Sequence, residues 1–436
     1  MEHSMKVVAF LPAKGTSSRI ANKNVQLLDG KPLFLYTLEK LISSGIFCDV
    51  YLDTESEVII EAAKETKCKI LRRNKSLATN ATDGNTLFLN EVKSVDADIY
   101  VQVLCTSPFI AIETIRKAVE TISADETYDS AFLIKKEKLY EWTGGQPNYN
   151  IDAIPNSEEL KDSLIETMGL YIIKRQSALK LKRRIGEAPL LIEASPLESI
   201  DVNCYDDFLL ADLVAAGIRE QDRKLLGNIK ANITSSDLSD ILDDLGYRDQ
   251  VIRGLSANIN GSKILGRAKT LKLRALNDGE DYKGIYDALK SYETIVPNDI
   301  IMVENEISNF AYFGEINANL TIRSGGSGVI IDGATRDSVE VKQLGLPVFS
   351  RGTSCQDVKG RATTESFNKP IIMGSTKIDP GCLVFADADG VVVIPCEIES
   401  EVIYRVNEAK KVEKQILHEI SLGVHVDDLT KRNGFF

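Results

Sequence analysis

Histidine is nearly missing from this chain. Only three occur in 436 residues, His3, His418 and His425, each close to one end or the other. A histidine-based triad or a multi-histidine metal centre is therefore not expected in the body of the protein. The seven cysteines (Cys48, Cys68, Cys105, Cys204, Cys355, Cys382 and Cys396) are odd in number, scattered and free of Cys-x-x-Cys pairs. That pattern suits reduced thiols and argues against both a zinc site and a disulfide framework. No run approaches the roughly 18 apolar residues of a membrane helix. The short apolar stretch near the N-terminus leads straight into a charged loop, unlike a signal peptide. A basic excess is also absent: 52 Lys and Arg against 64 Asp and Glu leave a net charge of −12. This excludes a sequence-independent nucleic-acid binder but allows local cationic sites. The expectation is a cytoplasmic protein whose partners are small molecules, with neither nucleic acid nor membrane among them.

The length and the composition, 43% hydrophobic and 27% charged, describe a globular chain of two domains. The first half alternates strand and helix patterns: strands at 7–11, 49–53, 69–71 and 99–104, helices at 32–44, 57–66, 86–92 and 112–122. This order predicts an α/β domain with a mostly parallel sheet. A closing helix at 206–219 and a charged connector at 220–232 put the boundary near residue 225, giving domains 1–225 and 226–436. The second half has a helix at 235–245, capped around Ser236, and a long amphipathic helix at 397–422. Between them, short β-rich runs separated by Pro, Gly and Asn turns read as an α/β domain built on a small sandwich or barrel.

Directly after the first strand, residues 11–24 pack small hydroxyl residues, Gly15 and the cations Lys14, Arg19 and Lys23 into one loop. Open parallel sheets bind ligands at this edge. Backbone N–H groups there can cradle a polyphosphate whose charge the cations offset. No Gly-Lys-Ser/Thr closes the loop, so it is not a Walker motif. Arg73 to Asn80, Thr106-Ser107-Pro108-Phe109 and Ile200-Asp201-Val202-Asn203 follow further strand ends or precede a helix. Asp201 is placed to hold a magnesium ion.

With these residues in view, the first half resembles the sugar-acid cytidylyltransferases that make CMP-neuraminate, CMP-legionaminate and CMP-KDO. Pro12-Ala13-Lys14-Gly15, Lys23-Asn24, Arg73 to Ala78, Thr106 to Phe109 and Ile200 to Asn203 carry the likeness. The resemblance implies a Rossmann-like nucleotidyltransferase fold with CTP as substrate. Lys14, Gly15, Ser17, Asn24, Arg73, Thr106 and Ser107 would bind the nucleotide. Lys23 and Asp201 would be catalytic, with Asp201 also ligating Mg2+ or Mn2+. The chain departs from the pattern at Lys14 (usually arginine), Asn203 (usually a second acid) and Leu104 (usually glutamine, here with Gln102 nearby).

A second cluster comprises Gly314-Glu315 and the run Val329 to Asp337, which contains Asp332, Arg336 and Asp337; Lys359 follows in a glycine-containing loop. Arginine beside carboxylates suits an anionic substrate chelated to a divalent ion. The Gly325-Gly326-Ser327-Gly328 run precedes a strand instead of following one, so it reads as a helix end. Asp387-Ala388-Asp389-Gly390 mimics a phosphatase nucleophile motif, but only 47 residues follow Asp389, too few for the rest of that fold. Residues 230–430 instead resemble the RraA-like family, which includes 4-hydroxy-4-methyl-2-oxoglutarate aldolase. Gly314-Glu315 through Asp337, Pro347 to Gly352 and Pro380 to Pro395 carry this likeness, with Cys382 standing where the family has an aspartate. The resemblance implies an α/β swivelling domain. Glu315 and Asp337 would organise the metal, and Arg336 and Lys359 would act on a 2-oxo acid undergoing retro-aldol cleavage.

Sugar acids of the neuraminate and KDO type are themselves 2-oxo acids, so the expectation is a bifunctional chain. Two alternatives stay open: a second domain that only oligomerises or binds a regulatory protein partner, and a first domain that activates a different sugar phosphate. Combining the dimers implied for one family with the trimers implied for the other predicts a homo-oligomer, a hexamer.

Overall fold

The computed structural model describes residues 5–433; His3 lies outside them. Two compact units are present, Met1–Ala215 and Ala216–Phe436. The division falls within one helix, Tyr205–Lys230. The expected helix-plus-connector over 206–232 is therefore corrected to a single helix. Glu220 and Arg223 pair along its surface (Nε to Oε2 2.7 Å), and Leu226 and Ile229 are buried in the second unit's core. The charges mark a solvated face and do not interrupt the helical period. Among the described residues no helix is long and apolar enough to cross a membrane.

In the first unit a seven-stranded sheet runs in the order Pro189–Glu193, Ser130–Lys138, Asp162–Lys174, Ile99–Val103, Val7–Pro12, Asp49–Thr54, Lys69–Arg72. Only Asp162–Lys174 is antiparallel to its neighbours. Val7–Pro12 lies between two parallel strands and is buried along its whole length. Side chains alternate across the sheet. Val7, Ala9 and Leu11 join a cluster with Phe34, Leu38 and Ile115, while Val8 and Phe10 join Phe88, Val92 and Tyr100 on the other face. Burial on both faces explains the unbroken apolar run that opens the chain. The strands Ser130–Lys138, Asp162–Lys174 and Pro189–Glu193 were not anticipated. Their polar stretches, such as Lys135–Lys138 and Asp162–Glu166, lie partly in solvent and mask the strand period.

The second unit has a nine-stranded mixed sheet. Ile264–Ala275, Asp299–Asn305, Gly328–Thr335 and Val348–Thr353 are parallel at its centre. Leu383–Ala386, Val391–Ile394 and Val251–Ile252 extend it antiparallel on one side. Ala362–Phe367 branches off the first of the central strands, so the short runs form one branched sheet and not a separate sandwich or barrel. The helices Glu315–Arg323 and Ser338–Gln343 connect the central strands, as parallel pairing requires.

The helix Ser235–Asp244 is capped by Thr234 and not around Ser236. Thr234 and Asp237 form a reciprocal capping box. Asp387 accepts from Ser235 N (2.9 Å) and Ser235 Oγ (2.7 Å), so the phosphatase-like motif is a strand-connecting turn that anchors this helix. Gly325, at φ +82°, follows the end of Glu315–Arg323, matching the helix-terminating role expected of the glycine run.

Candidate functional site

In the first unit the loop leaves the sheet where Ala13 N donates to Asp53 O (2.9 Å). Gly15 is required sterically, because a Cβ there would stand 2.7 Å from Ser56 Cβ. Its N–H donates to Glu55 Oε1 (2.7 Å), so this amide is engaged by a carboxylate and not directed at an open phosphate site. Asn22, in the left-handed conformation at φ 50°, turns the chain into the short helical turn Lys23–Val25. Asn24 Nδ2 then donates back to Lys14 O (2.8 Å) and closes the loop on itself.

A cleft of about 240 Å³ opens beside it, lined by Lys14, Ser17, Arg19, Lys23, Asn24, Asn80, Arg73 and Thr106 among others. The expected residues Gly15, Ser107 and Asp201 are not part of this lining. Ser107 is buried, with its N–H on Leu104 O (3.1 Å). Lys14 Nζ donates to Asn80 Oδ1 (2.6 Å), and Arg19 Nη2 to Asn203 Oδ1 (2.7 Å). Asn203 Nδ2 in turn donates to Asp201 Oδ2, which ties Asp201 to the rim through Arg19. Asp201 Oδ1 accepts no hydrogen bond among the described residues. A hard oxygen of this kind fits a Mg2+ or Mn2+ ion that takes its other ligands from phosphate and water.

Lys23 is buried and donates to Val202 O (2.7 Å). Burial lowers its pKa, while Cys105 and Asp201 act in the opposite sense. Burial pushes the Cys105 thiol up to about 11, so it stays protonated beside Asn24.

Arg73 reaches the cleft, but its fork grips Asp53, a residue the sequence did not single out. Behind this pair lies Glu91, fully buried, accepting from Gln102 Nε2 (2.6 Å). Burial, then the charge of Asp53, drives the Glu91 carboxyl well above its ordinary range. Asp53 and Glu91 carry no local motif, so only the fold brings them together.

In the second unit Thr335 Oγ1 and Arg336 N both donate to Phe313 O (2.8 and 2.9 Å), which brings the end of Gly328–Thr335 against Gly314. Asp337 takes a left-handed φ of 51° and accepts from Glu315 N (3.1 Å). A Cβ on Gly314 would lie 2.4 Å from Asp337 Oδ2, which explains the glycine. Arg336 Nη1 stands 2.5 Å from Asp357 Oδ2, and its Nε 3.6 Å from Asp337 Oδ2. Lys359 N donates to Asp357 Oδ1 (2.6 Å), with its Nζ 5.7 Å from the Tyr282 ring centre.

Glu315, Arg336 and Asp337 are thus gathered, while Lys359 joins them only through its backbone amide on the unanticipated Asp357 and carries its side chain over Tyr282. Asp332 stands apart from them: it lies inside the strand Gly328–Thr335 and is paired with Arg351 Nε (2.7 Å). A larger cavity of about 790 Å³ lies along Thr335, Ser338, Lys342, Ser350 and Arg351, and none of the four expected residues lines it. No group of three His, Cys, Asp or Glu suited to a metal occurs among the described residues. Glu315 and Asp337 remain a two-carboxylate set whose Glu315 oxygens and Asp337 Oδ1 accept no hydrogen bond among those residues. These oxygens are of the hard type that would hold a magnesium-type ion, with water and substrate supplying its other ligands.

Comparison with known proteins matches residues 8–155 to the cytidylyltransferase family and residues 235–393 to the Aldolase/RraA family. A putative 4-hydroxy-4-methyl-2-oxoglutarate aldolase of Halalkalibacterium halodurans is 30% identical over 174 residues, covering 40% of this chain and 78% of the relative. The N-acylneuraminate cytidylyltransferase of Streptococcus agalactiae is 25% identical over 217 residues, covering 47% of this chain and 52% of that protein. The chain therefore spans about half the length of this relative. N-acylneuraminate cytidylyltransferase A of Danio rerio is 24% identical over 366 residues, 76% of this chain and 83% of its own length. Through its second half the chain belongs to the Aldolase/RraA family, and residues 8–155 are similar to the cytidylyltransferase family.

Proposed function

We propose that the first unit transfers CMP from CTP to the anomeric hydroxyl of a 2-oxo sugar acid of the neuraminate, legionaminate or KDO class, releasing pyrophosphate. The observation that carries this reading is the convergence of Lys14, Arg19, Lys23 and Asn24 on one cleft at the carboxyl edge of a parallel sheet. Lys14 and Arg19 are held by neutral amide oxygens, which leaves their charge for phosphates. Lys23, desolvated and fixed on Val202 O, is a preorganised cation for charge that develops as pyrophosphate departs. Asp201 would hold the divalent ion, whose contribution when bound is to neutralise phosphate charge. Asn24 and Thr106 border the same space and would orient the nucleotide. Pyrophosphate release from CTP against UTP, across a panel of sugar acids and sugar phosphates, tests the reading. Turnover of a sugar phosphate, with none of any sugar acid, would overturn it.

In the second unit Glu315, Arg336, Asp337 and Lys359 would bind a 2-oxo acid with a divalent ion, in an aldolase-like cleavage. The ion pair of Arg336 with Asp357 favours a second reading, a non-catalytic oligomerising or protein-binding module, because the guanidinium is already neutralised. Pyruvate release from 2-oxo acids in the presence of Mg2+ or Mn2+ separates the two.

A further inference from the structure

Cys382 and Cys396 lie 14 residues apart in sequence, yet their sulfurs stand 3.0 Å from each other. The cause is the ladder between Leu383–Ala386 and Val391–Ile394, in which Leu383 faces Ile394. The residue before the first strand and the residue two beyond the second therefore meet at one end of the hairpin. Cys382 is buried in an apolar cluster with Ala268, Ile378 and Val384. Cys396 is exposed and opens the turn Cys396–Ile398, which leads into the helix Glu399–Ser421. Among the described residues no other two cysteines are in contact. Neither sulfur belongs to the two sites described above, and Cys382 is itself a departure from the motif around it. Their shared hydrogen bond holds the Cys382 thiol below its ordinary value and the Cys396 thiol above it.

We propose that Cys382 and Cys396 are a redox modification site, a dithiol that a small-molecule disulfide converts into an intrachain cross-link between the hairpin and the turn before helix Glu399–Ser421. Access, not acidity, sets the order: Cys396 is exposed and Cys382 is buried, so Cys396, in the fraction that ionises, attacks one sulfur of the small disulfide and expels the other half as a thiolate. Cys382, as thiolate, then attacks Cys396 Sγ, forms the Cys382–Cys396 bond and expels the second half. The two cysteine protons end on the two released thiolates. Two cysteine thiols are thus oxidised while one disulfide is reduced to two small thiols. Closing to a bond of about 2.05 Å requires a movement of roughly 1 Å, within reach of a side chain on an exposed turn.

The cross-link would act on a defined structure. Glu399, three residues after Cys396, pairs with Arg267 on the central strand, and Arg267 also grips Asp222 (3.1 Å) on the helix Tyr205–Lys230. Fixing the turn restrains this network and slows local opening of the helix start.

The test uses the full chain in glutathione redox buffers, quenched by alkylation and mapped by peptide mass. Cys382 and Cys396 are expected to lose alkylation together, with loss of two hydrogens and no bound glutathione. The exposed Cys48, Cys204 and Cys355 should instead collect glutathione. Hydrogen exchange over 399–410 should slow on oxidation of the wild type and stay unchanged in Cys396→Ser, whose substitution is at an exposed position. Cys382→Ala should leave Cys396 as a mixed disulfide. The proposal is overturned if Cys382 and Cys396 remain alkylated once Cys48, Cys204 and Cys355 are fully modified. It is equally overturned if wild-type Cys396 stops at a mixed disulfide, or if the cross-link forms with no change in exchange.

Discussion

Arg73 and Asp53 form a buried, forked ion pair: Nε to Oδ1 at 3.0 Å and Nη2 to Oδ2 at 3.0 Å, with Nη2 also on the Asp53 carbonyl at 2.9 Å. This pair joins the end of Asp49–Thr54 to the residue after Lys69–Arg72 and fixes one wall of the cleft beside the Lys14 loop. Removing the cation leaves Asp53 charged beside Glu91. Arg73→Ala should therefore destabilise the first unit by about 3–5 kcal/mol, the usual cost of breaking a buried pair from one side. Urea unfolding checks this. Arg73→Lys retains the charge but loses the fork and should fall between the two.

Glu91 sets a pH dependence whose sign follows from its raised pKa. The folded state keeps the proton after the unfolded state has lost it. Stability from this group is thus fully present below the unfolded value near 4.5 and declines as pH rises through the interval up to the folded value. Glu91→Gln removes the titration. Its stability relative to wild type should rise with pH from about 4.5 upward and be flat below it, as measured by denaturation midpoints across a pH series.

Lys23 is predicted to act on the reacting phosphates and not on folding alone. Lys23→Met should lower kcat for pyrophosphate release by about 10²–10³, the range for losing one preorganised charge-stabilising donor. Because its pKa is lowered by burial, the alkaline limb of activity should begin below the ordinary lysine value of 10.5. Lys23→Arg, if active, should shift that limb upward.

At the second site, Asp357 competes for the cation that a 2-oxo acid would need. Asp357→Asn should raise affinity for pyruvate-class carboxylates in the presence of Mn2+, and Arg336→Ala should reduce it at least about tenfold, as loss of a charge-assisted pair implies. Titration calorimetry reads both. No heat for wild type or for Asp357→Asn would favour the protein-binding reading.

Much of the first unit was legible because buried parallel strands are continuously apolar and their helices keep a 3.6-residue period. Val7–Pro12, Asp49–Thr54 and Ile99–Val103 lie where those patterns indicated. The hidden elements were those whose outer ends meet water, such as Asp162–Lys174, and the helix Tyr205–Lys230, whose charged half resembled a connector.

The sequence by itself carried the family likeness of each half, the cation-rich loop that holds Lys14 and Lys23, and the neighbouring motifs of Glu315, Arg336 and Asp337, because these depend on residue types at short spacing. Only the tertiary structure decided which charges are free and which are spent. It placed Asp53 on Arg73, Asp357 on Arg336, Glu55 on the Gly15 amide, and Cys396 beside Cys382. Ion pairs and thiol contacts act over a few ångströms in space, and strand register, not distance along the chain, sets which side chains come that close.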